Sequence, residues 1–282
     1  MLDRYHLEHE LGTGARGAVY RGRDKETGRV VAIKLIADAV PHRHVGETHR
    51  GSSGVGCVWH LNHSHIPALY ETARAGLLRY VVMEFAEGND LRAHTQPSTL
   101  LPLPTVLSVM QRVADALQHA HEHGVVHGDV KPANIVFDAA TGSVKLTDFN
   151  FASADAEATC ATPGYMSPEQ LCGLPLSPAS DQFSMGATLY QLACGHLPFT
   201  GRSRPEIVRR TVNEPHVDIR LHEPALPAAL LAVIDKALAK DVRARYPSAE
   251  SLRQAIRSVE RELRCDAPRY AARSCVHEVR PV

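Results

Sequence analysis

The stretch HGDVKPAN at residues 127–134 sets a carboxylate (Asp129), an ammonium (Lys131) and a carboxamide (Asn134) close together, and a second carboxylate follows at Asp148 in DFN, 148–150. Groups of these types can orient a hydroxyl and meet negative charge as it spreads, which is what phosphoryl transfer demands of a protein. Upstream, LGTGARGAVY at 11–20 carries Gly12, Gly14 and Gly17 in a G-x-G-x-x-G pattern. Glycines let a backbone approach phosphates without a Cβ in the way. The strand-like AVYRGRD follows where a dinucleotide fold would place a helix, so this is not a dinucleotide fingerprint. VAIK at 31–34 sets Lys34 among apolar strand residues, where a charge is costly unless used; α- and β-phosphates would use it. Taken singly, these features also have plain readings, a Gly-rich hairpin and a surface lysine at a strand end.

Such residues need elements to position them. The first ninety or so residues read as short strands: LEHELG, AVYRGRD, GRVVAIKLI and LRYVVMEFA, with KETG at 25–28 as a hairpin turn. After residue 100 the apolar spacing becomes helical. TVLSVMQRVADALQHAHEHG at 105–124 ends in Gly, and ALLAVIDKALAK and AESLRQAIRSVERELR repeat the pattern, with Ser248 as an N-cap. Strands first and helices after imply an α+β, two-lobed fold with a cleft between the lobes and a hinge near Glu84–Gly88. The least regular stretch is 39–59, AVPHRHVGETHRGSSGVGCVW, with four glycines and a proline. Residues 265–282 have no period and read as a tail.

Composition narrows the field. The 282 residues are 44% hydrophobic and 22% charged, with 31 Lys+Arg balancing 31 Asp+Glu, so no net field favours nucleic acid or an anionic membrane. There is no apolar run long enough for a transmembrane helix and no signal-type N-terminus. The six cysteines form no C-x-x-C pair, which fits a reducing compartment. The seventeen histidines are scattered; HRH at 42–44 and HSH at 63–65 are poorly spaced for one metal.

With TPGYMSPEQ at 162–170 added, five motifs stand in one order, and the chain resembles the protein kinase family, in particular the serine/threonine kinases of bacteria, over about residues 5–262. The resemblance implies a two-lobed kinase-like fold with an ATP-binding lobe at 5–86, a catalytic lobe at 87–264 and a tail at 265–282. It implies that Gly12, Gly14 and Gly17 cover the phosphates, and that Leu11, Val19, Ala32 and Val136 belong to the adenine pocket. It also implies Met83 as gatekeeper, Glu84 and Ala86 as the hinge, and Lys34 on the phosphates. Asp129 would be the catalytic base, Lys131 the contact to the γ-phosphate, and Asn134 and Asp148 the ligands of Mg²⁺, a hard cation that takes oxygen donors. Glu169 and Arg245 would form a structural ion pair, and Asp181 would hold the catalytic-loop backbone.

Three positions depart from the family pattern. Gly128 replaces an arginine that usually pairs with an activation-segment phosphate, so this is a non-RD loop whose activity need not await that phosphate. Asn150 replaces the glycine of DFG, and Asn tolerates positive φ better than most residues. The helix glutamate that usually holds the strand lysine would fall near Ser53 or Gly54; Glu47 lies two helical turns upstream. A partner that orders 39–59 would complete such a site. Thr159 is the candidate for autophosphorylation, whereas Thr162 matches a structural position. The sequence therefore points to an ATP- and Mg²⁺-dependent serine/threonine protein kinase acting on a protein substrate, cytoplasmic, in the cell that makes it or delivered into another. A pseudokinase or nucleotide-binding scaffold read out by a partner is the alternative, and a small-molecule kinase a third.

Overall fold

The computed structural model describes residues 4–14, 17–37, 60–75, 78–149 and 163–265. The N-terminal part is an antiparallel sheet of five strands in the order β1-β2-β3-β5-β4. These are β1 (Tyr5–Gly14), β2 (Gly17–Asp24), β3 (Val30–Ala37), β4 (Leu69–Ala75) and β5 (Leu78–Glu84). The turn at KETG forms as the sequence predicts. Gly28 takes φ +70°, and the Asp24 carboxylate accepts from Glu26 N and Thr27 Oγ1 while two nitrogens of Arg4 clamp it from outside.

Side chains alternate across a strand, so residues two apart share a face. Val31 and Ile33 pack with Tyr5 and Val82 on one face. Ala32 and Lys34 take the other face, where Ala32 sits opposite Met83 and Lys34 opposite Val81. Ala32, Val81 and Met83 join the main core.

The C-terminal part is helical. It contains α1 (Leu103–Glu122), α2 (Pro168–Leu171), α3 (Pro178–Cys194), α4 (Arg204–Asn213), α5 (Ala228–Ala237) and α6 (Ala249–Cys265). Gly124, at φ +73°, stops α1. Ser248 caps α6 by accepting from Ser251 N at 3.1 Å. Cys265, the first residue of the expected tail, is the last of α6. Helix α3 is buried from Ser180 to Cys194, the signature of a helix at the centre of a helical layer.

Between the sheet and the helices lies a small sheet of β6 (Asn89–Asp90), β7 (Ile135–Phe137) and β8 (Val144–Leu146). Residues 65–68 tie the two parts together. Leu146 N donates to His65 O at 2.8 Å, His65 Nδ1 lies 3.1 Å from Val144 O, and Glu84 N donates to Ala68 O at 2.8 Å. Among the described residues, no helix is long and apolar enough to cross a membrane.

Candidate active site

A cavity of about 440 Å³ opens between the five-stranded sheet and the helical part. Leu11, Gly12, Gly17, Val19, Ala32 and Lys34 line it from β1–β3, and Met83, Glu84 and Ala86 line its back. Asp129, Lys131, Asn134, Val136 and Asp148 line the opposite wall. Gly14 ends β1 opposite Gly17.

The glycines are not equivalent. Gly17 has φ +123°, and a Cβ there would lie 1.8 Å from the Leu35 carbonyl oxygen. No side chain fits that position without parting β2 from β3. A Cβ on Gly12 would meet nothing within 4 Å. Below this hairpin, Lys34 is 6% exposed, and its Nζ donates to Asp148 Oδ1 at 2.7 Å. The pair joins β3 to the segment after β8 and answers the cost of burying the lysine. Asp148 itself has φ +62°, a strained conformation of the kind held at functional sites.

Asp129 sits in a dense polar network. Its Oδ2 accepts from Lys131 Nζ at 2.8 Å and from Asn134 Nδ2 at 3.2 Å, and Asn134 Nδ2 also donates to Asp129 O at 2.7 Å. The Asp129 N–H donates to His127 Nδ1 at 3.1 Å, so the ring hydrogen resides on Nε2, which donates to Thr147 O at 2.8 Å. His127 is fully buried, with its ring 4.6 Å from that of Phe149.

Asp181, buried at the start of α3, receives His127 N at 2.9 Å, Gly128 N at 2.7 Å and His121 Nε2 at 2.8 Å. Gly128 takes φ +73°, the region that glycine enters at little cost. On the far side of the loop, Glu169 accepts both terminal nitrogens of Arg245, at 2.7 and 2.8 Å. Burial pushes the Glu169 carboxyl up, but the hydrogen bonds and charge of Arg245 more than offset it and leave it at about 2.

The protein kinase domain model matches residues 5–256. The chain belongs to the protein kinase family. The kinase is 33% identical over 294 residues to the serine/threonine-protein kinase PknB of Mycobacterium leprae, covering 98% of this chain and 46% of that protein. It is 34% identical over 269 residues to PknB of Mycobacterium tuberculosis strain H37Ra, covering 90% and 42%. It is 30% identical over 264 residues to the serine/threonine-protein kinase PrkC of Bacillus subtilis, covering 90% and 40%. The chain thus spans less than half the length of these relatives. In fold it is similar to a crystal structure of Rad53 residues 1–466 in complex with AMP-PNP, with a TM-score of 0.75 and 24% identity, covering 89% of this chain and 64% of that one.

Within this kinase fold, Glu84, at the end of β5, has a partner that the sequence does not reveal. Glu84 Oε2 accepts from Lys145 Nζ at 2.8 Å and from Ala68 N at 3.1 Å, which ties β5 to β8 and to the 65–68 segment. No local pattern pairs residues 61 positions apart. His121, bound to Asp181 across 60 residues, and His127, bound to Thr147 O and Asp129 N, likewise make contacts that the motif spacing does not assign. Glu47, Asn150, Thr159, Thr162 and the 39–59 stretch proposed for an ordering partner lie outside the described residues.

Proposed function

We propose that this kinase transfers the γ-phosphoryl group of ATP to a serine or threonine hydroxyl of a protein substrate, with residues 5–86 as the nucleotide-binding lobe, 87–264 as the catalytic lobe and 265–282 as a tail. The observation that carries the reading is the convergence of Lys34, Asp129, Lys131, Asn134 and Asp148 on one cavity. In this reading the apolar wall of Leu11, Val19, Ala32, Met83 and Val136 takes the adenine, and the backbone of Glu84 and Ala86 recognises its edge. Gly12, Gly14 and Gly17 shape the hairpin over the phosphates. Asp129 orients the acceptor hydroxyl and takes its proton, Lys131 meets the charge that spreads over the transferred group, and Lys34 holds the phosphates behind it.

The donor set suits a hard cation. Asn134 donates through Nδ2 to Asp129, which leaves its amide oxygen as an acceptor, and Asp148 adds a carboxylate. These two residues would hold Mg²⁺, which when bound neutralises phosphate charge. Lys34, Asp129, Asn134 and Asp148 all line the cavity, which favours transfer over the alternative, a nucleotide-binding module, while Asn150 and the missing helix glutamate favour the alternative. An activating partner at 39–59 and a cytoplasmic site of action belong to the same reading.

The test is transfer from labelled Mg·ATP to a generic basic protein and to the kinase itself, with the native chain and Asp129→Ala. Transfer by the native chain that disappears in the variant is expected. Absence of transfer from both, with a nucleotide-dependent thermal shift retained, would move the assignment to the binding module.

A further inference from the structure

The two peptides that flank Gly128 are held by three side chains, those of His127, Gln170 and Asp181. Gly128 has no side chain, so nothing of its own fixes the peptide planes on either side, and a glycine at φ +73° can rotate either plane at little steric cost. Its N–H is held by Asp181 Oδ1 at 2.7 Å, and the N–H of Asp129 by His127 Nδ1 at 3.1 Å. The remaining group is the Gly128 carbonyl, part of the peptide that enters Asp129. It accepts from Gln170 Nε2 at 2.9 Å. The acceptor is a carbonyl, so the Gln170 amide must present its NH₂ and not its oxygen.

Gln170 is itself well anchored. It lies in α2 beside Glu169, which is fixed by two hydrogen bonds to Arg245, and its own N–H reaches Ser167 Oγ at 3.4 Å. The backbone that carries the donor is therefore placed by the fold, and the half-buried side chain reaches the Gly128 carbonyl from it.

We infer that Gln170 is a positioning residue for phosphoryl transfer: its amide locks the Gly128–Asp129 peptide plane and so aims the Asp129 carboxylate. The inference rests on the reading of Asp129 as the catalytic base. A misplacement of about 1 Å at a reacting group costs up to roughly a hundredfold in rate, so an unlocked plane is costly even with every reactive residue present.

The test uses the full chain with Gln170→Met, which keeps the volume and removes the donor, and Gln170→Glu. The readouts are kcat, KM for ATP, nucleotide affinity and Tm. Gln170→Met is expected to lower kcat by about tenfold or more, with nucleotide affinity within about twofold of native and Tm nearly unchanged. Gln170→Glu should match that loss at pH 8 and regain activity relative to native as the pH falls, because a protonated carboxyl again offers a donor. A kcat within about twofold of native in Gln170→Met would overturn the inference. So would a kcat loss matched by losses of Tm and nucleotide affinity, or no acid recovery in Gln170→Glu. Asp129→Ala is run alongside: if it transfers as well as native, the reading of Asp129 fails; if it is inactive while Gln170→Met is not impaired, only the role of Gln170 fails.

Discussion

Replacing Glu169 by glutamine should cost the kinase about 3 kcal/mol at neutral pH. Glu169 is 8% exposed and receives Arg245 Nη1 at 2.7 Å, Arg245 Nη2 at 2.8 Å and Ser180 Oγ at 2.8 Å. Its carboxyl stands at about 2 in place of the ordinary 4.5, the net of a burial penalty and a larger gain from Arg245. At 1.36 kcal/mol per pH unit, that separation is worth about 3 kcal/mol. In the variant, Arg245 stays buried with the Ala179, Ala239 and Lys240 carbonyls and one amide oxygen as acceptors but without its counter-charge, and breaking a buried pair by removing one charged partner costs roughly 3–5 kcal/mol. For a chain of this size, Tm should fall by roughly 6–12 °C.

The pH dependence has a definite sign. The folded carboxyl titrates below the unfolded one, so the contribution is complete above about pH 5 and fades as the pH falls through 4.5 towards 2. Calorimetric Tm profiles of native and Glu169→Gln should be well separated at pH 7 and converge in acid. Parallel profiles, or a neutral-pH gap below about 2 °C, would refute the reasoning.

Three further outcomes are expected. Gly17→Ala places a Cβ 1.8 Å from Leu35 O, so it should speed hydrogen exchange along β2 and β3 and shrink the thermal shift given by nucleotide. Gly128→Ala forces an L-residue to φ +73° and should cost roughly 1–2 kcal/mol in urea unfolding at unchanged slope, with Gly128→Asn costing less. Burial, with Arg245 nearby, lowers the Lys240 ammonium to about 8, so native stability should rise from about pH 8 to 10.5, where the unfolded chain holds the extra proton, and Lys240→Met should lack that rise.

The sheet was legible because its strands alternate and its turn at KETG carries its own chemistry. Period two also explains why Lys34 shares a face with Ala32 and not with Ile33. The long helices were legible from apolar spacing and from Gly124 and Ser248 at their ends. The site residues could be named from motifs, but the forces that hold them could not. Lys34 meets Asp148 across 114 residues, and His121 meets Asp181 across 60. Such pairings depend on where helices dock, and no local pattern records that. Gly128 was readable as a missing arginine; only the backbone reveals that the position demands positive φ.

The placement of Asp181 also bears on the order in which the chain becomes competent during its synthesis. The cavity-lining residues Lys34, Asp129, Lys131, Asn134 and Asp148 all precede α3, yet Asp181 holds the backbone at His127 from 54 residues beyond it. On the proposed reading, a nascent chain extended only to Phe149 holds the groups assigned to transfer and none of the later anchors, neither Gln170 nor Asp181. Since elements fold as the chain emerges from its N-terminal end, the five-stranded sheet can assemble first while the 127–134 loop stays unaligned. If the proposed reading holds, transfer should switch on late and in one step, when the central helix docks, and a partly made chain would hold nucleotide before it could spend it.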